Sequence, residues 1–168
     1  MSTFILNALL NKHFKKKNMK TNKLLVILGF CVLLSNCQQK APEVEFLVSE
    51  STKKLNRPFS DAVRYGNLLF LSGKVGTVPG TSNLASGGIK GETKQALENI
   101  KKVLEENGSS LDNVIKCTVM LADIEEWADM NSVYVQYFTK NKPARSAFGV
   151  SGLALGARVE LECIAVIK

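Results

Sequence analysis

From residue 37 onward the chain contains no histidine; its only one is His13. Ser–His and Cys–His nucleophile pairs, histidine metal ligands and histidine general bases are thereby excluded from that part. Carboxylates, arginines and thiols remain. The last apolar stretch alternates, with Arg158, Glu160, Glu162, Ile164 and Val166 pointing one way and Val159, Leu161, Cys163, Ala165 and Ile167 the other. The second set suits a covered core. The first places two carboxylates on the opposite face. There they serve solubility if the face meets water, and need partners or a purpose if it is an interface. Cys117 and Cys163 lie in apolar, strand-like runs, either as two buried free thiols or as a disulfide formed in an oxidising compartment.

The 168 residues are of single-domain size, and the formal charge of +7 is unevenly spread. Residues 1–36 hold six lysines (Lys12, Lys15, Lys16, Lys17, Lys20, Lys23) and no acid. The totals are 22 basic and 15 acidic residues, so residues 37–168 carry 16 and 15, a net of +1. A nucleic-acid partner loses its support at that charge.

Residues 24–34, LLVILGFCVLL, are an unbroken apolar run after Lys20 and Lys23. The run is too short to span a hydrocarbon layer of roughly 30 Å. A basic start, a short apolar centre and a polar exit describe a secretory signal peptide. The exit, Leu34-Ser35-Asn36-Cys37, resembles the bacterial lipobox, in which cleavage precedes the cysteine and that cysteine carries the lipid; Asn36 departs from the usual small residue. Cys37 is thus the expected lipid attachment site and membrane anchor, each buried methylene contributing about 0.8 kcal/mol. Gln38, in place of the Asp that marks inner-membrane retention, points to a lipoprotein of the outer membrane, facing periplasm or cell surface. A leader of ordinary length also begins at Met19. The expected organisation is a signal peptide over 1–36, a lipid-anchored tether over 37–54 with a short strand at Val44–Val48, and a domain over 55–168.

The remaining elements follow from pattern. Ala62–Tyr65 and Leu68–Ser72 flank Gly66-Asn67 as a hairpin. Residues 76–91, with five glycines, read as a loop. Ala96, Leu97, Ile100, Val103 and Leu104 give a helix over Glu92–Asn107, ended by Gly108. Val114–Leu121 is a strand. Asp123 and Glu126 form a capping box that opens a helix carrying Trp127, Met130, Val133, Tyr134 and Tyr137-Phe138, stopped by Pro143. Ala144–Val150 and Arg158–Ile167 are strands. The fold class is α+β, a mixed sheet with two helices on one face and the other face left for oligomerisation.

Several segments together resemble the RidA (YjgF) family of enamine/imine deaminases. They are Pro58-Phe59-Ser60-Asp61-Ala62, Leu71-Ser72-Gly73, Ala96-Leu97-Glu98-Asn99-Ile100, Val114–Leu121, Lys142-Pro143-Ala144-Arg145-Ser146 and Val159-Glu160-Leu161-Glu162-Cys163-Ile164-Ala165-Val166. The resemblance implies a chorismate-mutase-like fold, a homotrimer and ligand clefts between subunits. It implies hydrolysis of 2-aminoacrylate-type enamines and imines to 2-oxo acids and ammonia, with no cofactor and no metal. The carboxylate-binding arginine falls on Arg145, whose planar guanidinium offers two parallel hydrogen bonds. The acid that positions water falls on Glu160, and an already electrophilic imine carbon needs little more. Glu162, on the same face, reads as structural. The resemblance also places Phe59, Ser72, Asn99, Ser146 and Ala147 at the substrate. Phe59 stands where many members have Tyr, Lys74 where Gln is frequent, and Ala147 where Cys is common. An arginine clamp alone also supports a second reading, a small-carboxylate binding protein without turnover that uses the same clefts.

Overall fold

A computed structural model describes residues 41–168, of which Pro42–Lys168 form one compact unit. The leader and Cys37 lie outside the described residues. The elements are β1 (Val44–Leu47), α1 (Glu50–Lys54), β2 (Ala62–Tyr65), β3 (Leu68–Leu71), β4 (Lys74–Val75), α2 (Gly88–Glu106), β5 (Val114–Leu121), α3 (Trp127–Tyr137), β6 (Ala144–Gly149) and β7 (Val159–Val166). They form one mixed sheet in the order β1-β2-β3-β7-β5-β6, with β4 also paired to β7. Only β5 and β6 run parallel; the α3 crossover joins them.

Strand alternation sorts the two faces. Val159, Leu161, Cys163 and Ala165 of β7 are buried with Val114, Cys117, Val119 and Leu121 of β5. Both long helices cover this face: Ala96, Leu97, Ile100 and Leu104 of α2 and Met130 and Tyr134 of α3 belong to the same core. Burying each of the larger aliphatic chains contributes about 1.5–3 kcal/mol. No helix among the described residues covers the opposite face. Cross-strand register runs Phe46–Val63–Phe70–Ile164 over it, and Phe46 is 69% exposed, Phe70 41%. Phe148, level with Met120 and Glu160, adds a third exposed ring on that side.

The structure departs from the sequence expectations at four places. Helix α2 begins at Gly88, inside the glycine-rich stretch read as a loop. Gly87 and Gly88 take positive φ and swing the chain into the helix, and burial of Ile89 outweighs the poor propensity of Gly91. The strand expected to run through Ser72 ends at Leu71 and resumes as β4, so both halves pair with β7 around Ser72-Gly73. The polar segment read as tether holds, after its expected short strand, a short helix, α1, capped by the Ser49 hydroxyl. Asp123 does cap, accepting from the Glu125 N–H, but Glu126 does not close a box; it pairs with the Arg158 guanidinium across the fold.

Candidate active site

The sequence-predicted side chains fall into two groups. The first gathers where β3 gives way to β4. Glu160, opposite Val75 in the register, lays its carboxyl group over Gly73, and a Cβ at Gly73 would run into it. Ser72 is fixed beside it: its hydroxyl donates to the Ser60 carbonyl at 2.7 Å and its N–H to the Asp61 carbonyl at 3.1 Å. That contact brings in the segment carrying Phe59, whose half-exposed ring lies under the Arg57 guanidinium. Burial and then the neighbouring Glu162 charge push the Glu160 carboxyl above the usual carboxylate range. Such a group keeps its proton to higher pH than an ordinary glutamate and is a stronger base once ionised.

Asp61 and Lys74 brace this group. Their ion pair measures 2.8 Å, with side chains only 13% and 15% exposed. Asp61 also accepts the Ser49 N–H at 2.8 Å, so it ties the N-terminal segment to β4. Burial alone would raise its pKa, but Lys74, the Ser49 N–H and Thr52 outweigh that and hold it well below the usual range. A depressed folded-state pKa makes its stabilisation complete above the unfolded value, about pH 4, and lost as pH falls towards the folded value. Asp61→Asn is expected to cost about 2 kcal/mol in urea unfolding at pH 7. The gap from wild type should shrink on acidification below about pH 4.

The second group lies on the helix-covered face, at the edge strand β6. Arg145 pairs with Cys117 in the register and shares its face. Its guanidinium donates to Asn131 Oδ1 at 2.8 Å and sits 4.5 Å from the Tyr134 ring centroid and 5.5 Å from that of Trp127. Among the described residues no carboxylate pairs with it. A guanidinium has five N–H donors, so this one, oriented by an amide and two rings, still has donors for an anion. Ala147 follows on the same face, packed against the core. Ser146 turns to the uncovered face and accepts from Lys116 Nζ at 2.8 Å.

Asn99 stands apart from both groups. Its amide donates to the Val75 and Thr77 carbonyls, at 3.2 and 2.9 Å, and so fastens the chain around β4 to α2. Its effect on the Glu160 side is positional. Sequence reasoning missed Asn131 and placed Trp127 and Tyr134 on the helix without a role at the site. Their signal was the spacing i, i+4, i+7, which puts a polar amide in the middle of an aromatic stripe on one helix face.

One chain does not bring Arg145 and Glu160 together. Register places Arg145 in the row Arg145–Cys117–Cys163 on the helix side and Glu160 in the row Glu160–Met120–Phe148 on the uncovered side.

The family model described as Endoribonuclease L-PSP matches residues 51–167. A RutC family protein of Pyrococcus horikoshii is 45% identical over 121 residues, 72% of this chain and 96% of its own. The human 2-iminobutanoate/2-iminopropanoate deaminase is 42% identical over 109 residues, 65% of this chain and 80% of its own. The crystal structure of the yeast protein YEO7 superimposes with a TM-score of 0.70 at 40% identity, covering 75% of this chain and all of that one. The match spans every element from α1 to β7, and the chain belongs to the endoribonuclease L-PSP family, the RidA (YjgF) family whose motifs it carries.

Proposed function

We propose that this protein hydrolyses imines of small 2-amino acids, and the enamines that tautomerise to them, to 2-oxo acids and ammonia. The observation that carries the reading is Arg145: a guanidinium oriented by Asn131, Tyr134 and Trp127 with no carboxylate partner among the described residues. A substrate carboxylate fits it by two parallel hydrogen bonds. The names of similar deaminases from human and Arabidopsis thaliana agree with this chemistry.

The reaction then needs little. Glu160 orients a water and takes a proton as the water oxygen bonds to the imine carbon. The C=N electron pair moves to nitrogen, which is protonated. The carbinolamine expels ammonia as its hydroxyl loses a proton, leaving the 2-oxo acid. The half-sites lie on opposite faces of one sheet, so the working site takes Arg145 from one copy and Glu160 from the next. The row of Phe46, Val63, Phe70 and Ile164 gives those copies an apolar face to pack, and a homotrimer satisfies this arrangement. The basic-apolar leader and Cys37 support an envelope lipoprotein.

The test is release of pyruvate from 2-aminoacrylate generated in situ. Acceleration over the protein-free rate is expected. Binding of 2-oxo acids in a calorimeter without acceleration would select the non-catalytic reading instead. For location, Cys37→Ser is expected to move the protein from the membrane to the soluble fraction.

A further inference from the structure

The row that holds Arg145 continues into two thiols the reaction does not use. Cys117 and Cys163 are direct cross-strand partners in the β5–β7 ladder. Such pairs have Cα atoms about 4.5–5.5 Å apart, within the range of about 4.4–6.8 Å that a disulfide spans. Their sulfurs lie 2.6 Å from each other. Unbonded heavy atoms rest at about 3.5–4.0 Å. Both residues are buried, Cys117 at 0% and Cys163 at 2% exposure, between the sheet and the helices. The Tyr134 hydroxyl, buried in the same layer, lies beside Cys117 and favours its thiolate.

We propose that Cys117 and Cys163 are a redox couple that closes as a disulfide between the two central strands, directly beneath the Arg145 half-site. The oxidant is an external disulfide, a small-molecule or protein one. Cys117 loses its proton and its thiolate attacks one external sulfur; a mixed disulfide forms and the other external sulfur leaves as a thiolate. Cys163, deprotonated in turn, attacks Cys117 Sγ, and the second external thiolate leaves. The two cysteines give up two protons and two electrons, and the external disulfide becomes two thiols. The order follows from the surroundings. The S–H of Cys163 and the Arg145 charge favour the thiolate at Cys117 against burial, whereas Cys163 holds its proton. Because both sulfurs are buried, exchange is fast while the strands are still pairing and slow in the folded protein. The bond closes a loop between positions 46 apart in sequence and holds β5, which carries β6 and Arg145, to β7, which carries Glu160.

The full-length protein is refolded in glutathione buffers from fully reduced to fully oxidised, free thiols are blocked in denaturant, and the protein is digested with trypsin. Expected is a single species joining residues 117–140 to residues 159–168, two hydrogens lighter than the sum of the free peptides. The oxidised form should melt about 10 °C above the reduced form. That difference should vanish in Cys163→Ala and in Cys117→Ala alike. The protein folded before oxidant is added should form the link many-fold more slowly. Both thiols remaining open to alkylation across the whole range, or only mixed disulfides forming, would overturn the proposal. The assay reads the unmodified sequence, so misfolding of either variant does not obscure it.

Discussion

Replacing Arg145 by alanine is expected to lower kcat/KM for imine hydrolysis by about 10²–10³, the equivalent of losing a charged, two-pronged hydrogen bond. Most of the loss should fall on KM, because the substrate carboxylate is held equally before and during water attack. Arg145→Lys keeps the charge but not the fork, and should recover only part of the loss. The fold should survive either change. Arg145 makes one hydrogen bond and two ring contacts at an edge strand, and contributes little to the buried core. Asn131→Ala, which leaves the guanidinium in place but unsteered, should give a smaller increase in KM. Steady-state kinetics with 2-aminoacrylate and calorimetry with pyruvate check the split. An Arg145→Ala protein that binds and turns over like wild type would remove the basis of the functional reading.

Glu160→Gln should leave KM nearly unchanged and lower kcat by about 10²–10⁴, the span general-base catalysis supplies. Glutamine keeps the shape that fits over Gly73, so the change removes the proton acceptor and little else. Because burial and the Glu162 charge raise the Glu160 pKa, the acid limb of the wild-type pH profile should lie above about pH 4.3, the value for an ordinary glutamate. Activity should be low below that limb, where Glu160 is protonated, and rise through it. Glu162→Gln removes one of the two causes and should shift the limb downward. A profile flat through this region, with Glu160→Gln as active as wild type, would assign the acid a purely structural part.

The alternation in the last strand was readable at once, because a period of two has one meaning once one face is buried: Val159, Leu161, Cys163 and Ala165 lie in the core and Glu160 and Glu162 do not. The motif around Arg145 was equally plain, but its face was not. A short edge strand next to a parallel partner shows no clear alternation, and only its register with Cys117 puts Arg145 among the helices. Helix α2 was misjudged at its start because glycine composition describes the isolated chain, whereas docking of Ile89 is decided by the core. Asn131 was passed over because an amide in an apolar stripe carries no signal until a guanidinium is found opposite it. The Cys117–Cys163 pairing depends on a register between strands 46 positions apart, which local pattern does not encode.

The central claim is that each site takes Arg145 from one copy and Glu160 from another. It is tested most directly by mixing the two inactive variants. Arg145→Ala and Glu160→Gln subunits carrying different tags are co-expressed, and assemblies containing both are purified. A cyclic trimer that contains both variants has one boundary, about one third of its sites, at which an intact Arg145 meets an intact Glu160. Activity should therefore return to about one third of wild type in the mixed assemblies, although neither variant is active alone. Mixed assemblies no more active than their parents would contradict the claim and place both residues in a site within one chain.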